Sequence, residues 1–287
     1  MRRFSAHRNV LPNLSSNTVM SAASPHTPRP ADAEPLKQRV CAAFDRAAAT
    51  YDEAAIVQRH ACHALLAHLA PETAPAHILD AGCGTGFGAR ILRQRWPQAH
   101  ITGADFAPTM VERARPVMDE CFTADIEALP LPAQQFDLWW SNMSIQWCNA
   151  AAVFAEARRT LRSGGRLAAS TLGPETFHEM REAFSGIDTY RHTLHFNEPD
   201  AIIRALDDAG FRQIELWREQ RPIYYPDLKT LLRAIKAIGA QNVGGGGRSS
   251  LMGRAAWQKV EAAYERFRTA EGLPATYDII FACAATI

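Results

Sequence analysis

Residues 77–92 read HILDAGCGTGFGARIL: a short apolar run, an acid, then glycines at 82, 84, 86 and 88. So bare a backbone lets a ligand approach closely, and a helix that follows it presents free N–H groups. The spacing narrows the ligand. A dinucleotide fingerprint begun at Gly82 and Gly84 would need glycine at 87, where the chain has Phe87. No G-K-[ST] follows, which argues against a phosphate-cradling loop. Asp80 argues the same way, because a carboxylate beside the loop repels phosphate and suits an ammonium group. Asp105 ends the next apolar run, 19 residues after Gly86, where it can accept both hydroxyls of a ribose. Asp125, in ADIEALP, ends a third run, where a carboxylate can take an adenine amino group. Adenine, ribose, an amino group and no phosphate describe S-adenosylmethionine, so Asp80, Gly82, Gly84, Gly86, Asp105 and Asp125 are candidate cofactor ligands.

These residues need elements to hold them. HILDAG, ITGAD, CFTAD, FDLWWSN and RLAASTL are short apolar strands, and amphipathic helices stand between most of them. Strands alternating with helices imply right-handed crossovers and a parallel sheet covered on both faces. RQIELWREQRPIYY and YDIIFACAA add two strands, giving an α/β fold around a mostly parallel seven-stranded sheet. Ligands of such sheets sit beyond the carboxyl ends of the strands, where the glycines and acids fall. Further helices are expected at about 36–69, 174–197 and 227–270, as lid elements and an insertion before the last strand. EPDAIIRALDDAGF predicts a helix stopped by Gly210.

Residues 1–35 differ. They are rich in Ser, Pro and Asn, with Arg2, Arg3, Arg8 and Arg29 and no acid before Asp32. The composition resembles a transit peptide, but the expectation is a disordered N-terminal extension, or a start at Met20. The fold is expected over 36–287.

LDAGCGTG, GADFAPTM, ADIEALPLP and FDLWWSN match, in order, the motifs of class I S-adenosylmethionine-dependent methyltransferases, which have a Rossmann-like fold. VCAAFDRAAATYDEAA, SNMSIQWC, LLRAIKAIGAQN and LPATYDIIFACA are similar to stretches of one group, the malonyl-acyl-carrier-protein O-methyltransferases of biotin synthesis. The similarity runs from about 37 to 285. It implies that Phe106, Met110, Ile126 and Asn142 join the cofactor ligands. Tyr51 would close over the methionine part. Gln146 and Trp147, after the fourth strand, would face the acceptor. Arg233, Lys236 and Arg248 would meet a malonyl thioester on acyl carrier protein or coenzyme A.

A malonyl carboxylate is already ionised at pH 7, so its attack on the methyl group needs no obligatory base. Catalysis would be mostly positioning and desolvation, with Tyr51 and Trp147 as positioning residues. Lys229, Arg233 and Lys236 fall on one face of a helix whose other face is Leu228, Leu231, Leu232, Ile235 and Ile238. That basic face suits docking of an acidic carrier or gripping the malonyl end; a solvated face is the alternative. Methylation of a quinone or other small molecule, and a non-catalytic assembly factor that keeps the fold, are the rival functions. The net charge of +1 points to neither nucleic acid nor membrane, and no apolar run is long enough to span one. Six scattered cysteines without a C-x-x-C pair suit reduced thiols in the cytoplasm. The ten histidines form no H-x-x-x-H pair backed by a carboxylate, so no metal is expected. His192 and His195 fall on the expected lid.

Overall fold

A computed structural model describes residues 2–5, 30–70, 72–187, 192–237 and 252–287. In chain order the elements begin with β1 (Arg2–Ser5), α1 (Pro30–Ala47), α2 (Tyr51–Ala54) and α3 (Ile56–His68). The alternating stretch follows: β2 (His77–Ala81), α4 (Phe87–Arg95), β3 (His100–Asp105), α5 (Pro108–Ala114), β4 (Glu120–Thr123), β5 (Phe136–Asn142), α6 (Ala150–Thr160) and β6 (Leu161–Leu172). Then come α7 (His178–Phe184), α8 (Pro199–Asp208), β7 (Arg212–Tyr225), α9 (Leu228–Ala237), α10 (Arg254–Glu265) and β8 (Leu273–Ala285).

The strands form one sheet in the order β1-β7-β8-β6-β5-β2-β3-β4. β4, β3, β2, β5 and β6 pair in parallel, while β8 lies antiparallel to both β6 and β7. The seven expected strands are all present. An eighth, β1, comes from the segment expected to lie outside the fold, and pairs antiparallel with β7 over Arg2–Ser5 and Glu215–Arg218. The boundary expected at residue 36 also moves, because α1 begins at Pro30. A proline at a first helical position loses no needed N–H, so Pro30 opens a helix readily.

Both faces of the sheet are dry. Along β5, Leu138 and Trp140 join one core with Val57, Leu65 and Leu92 from α3 and α4. Trp139, between them, joins the other with Phe154 and Leu206 from α6 and α8. Side chains alternate across a strand, so a run of apolar residues is what a sheet buried on both sides requires. Gly210 ends α8 as expected: its φ is 90° and its N–H donates to the Asp207 carbonyl at 2.9 Å. The N-terminal helices cross the carboxyl ends of the parallel strands. That is where the glycine loop and the three acids lie.

Candidate functional site

The glycine loop after β2 is pinned from below. Gly82 and Cys83 donate their N–H groups to the Ala104 carbonyl, at 2.7 and 3.1 Å. Gly84 donates to Asp105 Oδ2 at 2.9 Å, and Ala107 donates to Asp105 Oδ1 at 2.9 Å. Gly82 has φ of 76°, and a Cβ there would lie 2.3 Å from Ser144 Oγ, so only glycine fits. A Cβ on Gly84 would meet nothing within 4 Å, which leaves that backbone open to a ligand.

A cavity opens above the loop. Tyr51, Asp80, Gly82, Gly84 and Asp105 line it, as do Phe106, Met110, Asp125, Ile126 and Asn142. Of the expected cofactor ligands, Gly86 alone does not line it; it stands at the start of α4, packed against Val117 and Ala114.

Electrostatics mark the same place. Asp80 is buried, and its Oδ2 has no hydrogen-bond partner. Burial, then the charge of Asp105, push its carboxyl up to about 7, against a smaller opposing pull from the Ala89 N–H. Burial also raises Asp105, to about 6, although the Ala107 and Gly84 N–H groups hold it down in part. Two buried carboxylates facing one cavity call for a cationic ligand. Asp125 is already engaged. Its Oδ1 accepts the Glu127 N–H at 3.0 Å, and its Oδ2 accepts from Lys37 Nζ at 2.5 Å, while Lys37 also reaches Glu127 Oε1 at 2.7 Å.

A second cavity adjoins the first. Phe44, Tyr51, Gln58, Met143 and Trp147 line both, so these residues form the partition. Phe44 is its hub, edge-on to Trp147 at 5.6 Å and 89°, and to Tyr51 at 6.1 Å and 63°. Beyond the partition the walls are mostly apolar, with Leu172, Phe177, Met180, Phe184, Phe196, Leu232 and Ile235. Gln146 lines this chamber, but its amide is committed. Nε2 donates to the Met143 carbonyl at 2.6 Å, and Oε1 accepts from Thr171 Oγ1 at 3.3 Å. His192 lines it too, stacked on Phe184; His195 is exposed and does not.

The basic face of α9 turns away. Leu232 and Ile235 enter the second chamber, whereas Lys229, Arg233 and Lys236 are exposed and line neither cavity. Arg248 lies outside the described residues, as does the GGGG run. Among the described residues, no group of three or more His, Cys, Asp and Glu is placed to hold a metal ion, and no helix is long and apolar enough to cross a membrane.

The methyltransferase domain model matches residues 79–169. The malonyl-[acyl-carrier protein] O-methyltransferase of Dechloromonas aromatica (strain RCB) is 47% identical over 253 residues, 88% of this chain and 95% of that protein. The chain belongs to the malonyl-[acyl-carrier protein] O-methyltransferase family. The biotin biosynthesis bifunctional protein BioHC of Cellvibrio japonicus (strain Ueda107) is 35% identical over 249 residues; the match covers 85% of this chain and 49% of that longer protein. A solved structure from Thermotoga maritima, of a SAM-dependent methyltransferase described as a possible histamine N-methyltransferase, shares the fold. Its TM-score is 0.53 at 17% identity, over 86% of this chain and all of the other.

The cofactor of this O-methyltransferase is S-adenosylmethionine, and the first cavity fits it. The orphaned, buried Asp80 oxygen suits the ammonium group, the open Gly84 backbone admits close approach, and each Asp105 oxygen keeps a lone pair for a ribose hydroxyl. Several lining residues escaped the sequence reading. Lys37, Phe44 and Gln58 come from α1 and α3, far along the chain from the loop they cover. Asp52 accepts from Thr85 Oγ1 at 2.5 Å and its carbonyl from Arg59, stitching α2 and α3 to the loop. Phe44 and Asp52, inside the quoted VCAAFDRAAATYDEAA, stood near a sequence signal; Lys37 and Gln58 did not.

Proposed function

We propose that this protein transfers a methyl group from S-adenosylmethionine to the free carboxylate of a malonyl thioester on acyl carrier protein, giving the methyl ester used in biotin synthesis. The observation that carries the reading is the pair of cavities meeting at Phe44, Tyr51 and Trp147: a polar, acid-lined one and a dry, apolar one. In the first, Asp80 takes the ammonium group, Asp105 the ribose, and Phe106, Met110 and Ile126 wall the base. When bound, the cofactor supplies an electrophilic methyl group next to a positive charge.

The chain's own part is binding, orientation and exclusion of water. An ionised carboxylate needs no base. Among the described residues the chamber is lined by no Asp or Glu, burial pushes the phenols of Tyr51 and Tyr277 well above their usual range, and His192, the one imidazole in the lining, stacks on Phe184. Phe177, Met180, Phe184 and Phe196 keep the acceptor dry. A carboxylate and a cationic donor lose their charges as the methyl moves, so an apolar wall favours the step. The reaction is cytoplasmic in this reading, which six free cysteines suit.

The test is direct. Malonyl-acyl carrier protein incubated with the protein and S-adenosylmethionine should gain one methyl group by mass spectrometry, at the malonyl carboxyl. Methylation of a quinone instead would overturn the acceptor, and no transfer to any acceptor by a protein that binds the cofactor would point to an assembly role.

A further inference from the structure

Four polar side chains line the acceptor chamber without also lining the cofactor cavity: Gln146, His192, Thr193 and Tyr277. The Gln146 amide is spent on Met143 and Thr171, and His192 stacks on Phe184. Tyr277 differs. It is 4% exposed, held in β8 opposite Arg221 of β7, with its ring edge-on to Phe177 at 4.8 Å and 71°. Its hydroxyl makes no hydrogen bond to any described residue, and the residue lines the chamber.

The neighbours show how unusual that is. On one side, Thr276 gives its N–H and its hydroxyl to the buried Glu179 carboxylate. On the other, Asp278 is held by Arg218 through two hydrogen bonds of 2.6 and 2.7 Å. Tyr264, another buried tyrosine nearby, donates to the Pro274 carbonyl at 2.9 Å. Packing alone does not call for a hydroxyl here, because phenylalanine would fill the same space with the same ring. A hydroxyl retained there, facing a chamber, is accounted for by a ligand that accepts its hydrogen bond.

We propose that the Tyr277 hydroxyl donates to the terminal carboxylate of the acyl group, at the oxygen that does not receive the methyl, and so selects carboxyl-ended acyl thioesters over acetyl and propionyl ones. The inference rests on the acceptor class proposed above. A phenol suits this role because burial keeps it protonated, so it donates throughout the working pH range. Being neutral, it orients the carboxylate without cancelling the charge on the attacking oxygen, as a fixed cation would. The carboxylate loses its charge as the ester forms, so the hydrogen bond is stronger before transfer than during it. Its loss therefore falls on KM more than on kcat.

The experiment uses the full chain saturated with S-adenosylhomocysteine, with malonyl- and acetyl-coenzyme A titrated by calorimetry. Wild-type protein should prefer the malonyl thioester. In Tyr277→Phe, malonyl affinity should fall roughly tenfold to a hundredfold, the range for a hydrogen bond to a charged group. Acetyl and S-adenosylhomocysteine affinities should hold, and the rise in KM for the malonyl acceptor should exceed any change in kcat. Tyr225→Phe, on β7 outside the chamber, should leave the selectivity intact and guards against a general effect of losing a hydroxyl. Equal losses for both thioesters would reduce Tyr277 to a packing residue, and no loss would move the donor elsewhere, to Thr193 first. Failure of the wild type itself to methylate a malonyl thioester overturns the acceptor reading, and is seen without any variant.

Discussion

Asp80 and Asp105 each carry a carboxyl raised above its ordinary value, to about 7 and about 6. An acid whose folded value lies above its unfolded value of 3.8 binds its proton more tightly in the native state. Its stabilising effect is complete below pH 3.8 and is lost as pH rises through 6 to 7. Ligand-free protein should therefore lose melting temperature across that window, and Asp80→Asn should flatten the loss; a flat wild-type profile would refute the assignment. A cationic ligand reverses the sign, because it favours the ionised carboxylate. Affinity for S-adenosylhomocysteine, which keeps the ammonium group, should rise with pH below about 7, by up to about tenfold per unit. Asp80→Asn should remove that dependence in calorimetry. Asp105→Ala should weaken binding by about 1.5–3 kcal/mol with the fold intact by circular dichroism; unchanged affinity would exclude a ribose contact. Both acids were legible in the sequence, because each closes an apolar strand and strand ends are where such sheets bind. Lys37 was not. Its partner Asp125 is 88 positions away, and no local pattern announces an ion pair across that span.

At the scale of elements, α1 and α9 each act through one face. Lys37 ties α1 to Asp125 and Glu127 at the mouth of the cofactor cavity; its side chain is 22% exposed, Asp125's 40% and Glu127's 19%, so these ion pairs are partly screened. Lys37→Met should speed S-adenosylhomocysteine release several-fold in stopped flow, and high salt should do the same to the wild type but little to the variant. An unchanged release rate would show that α1 is held by Phe44 and its neighbours alone. On α9, the exposed Lys229, Arg233 and Lys236 suit the acidic surface of a carrier. Arg233→Glu or Lys236→Glu should raise KM for malonyl-carrier protein and make it less sensitive to salt, since rim charges act mainly on encounter. Malonyl-coenzyme A turnover and cofactor affinity should be unaffected; equal slowing of both acceptors would contradict carrier docking. The amphipathic pattern of α9 was plain in the sequence. That its apolar face lines a chamber rather than filling a core was not, because period and hydrophobicity are the same in either case.

Across the whole molecule, β8 runs inside the sheet between β6 and β7 and is clamped at Asp278 by Arg218. Asp278 is fully buried, so Asp278→Asn should cost about 3 kcal/mol, the lower end for breaking a buried pair. Urea denaturation checks this, and a change within about 0.5 kcal/mol would mean that water replaces the pair. The seven main strands were legible because each is an apolar run between turn residues. β1 escaped because RRFS is four residues long and mostly polar, and only pairing with β7 makes it a strand. The two cavities also divide the chain. Cofactor-lining residues run from Lys37 to Cys148, while the acceptor chamber adds a series from Leu172 to Tyr277. The general domain match stops at 169, before all of the chamber's own residues except Gln146. In the reading proposed above, the manner of transfer and the choice of recipient thus fall on successive stretches of one chain. Descent can trade the recipient by rewriting the later stretch and pass the earlier one on intact, with Phe44, Tyr51 and Trp147 as the hinge between them.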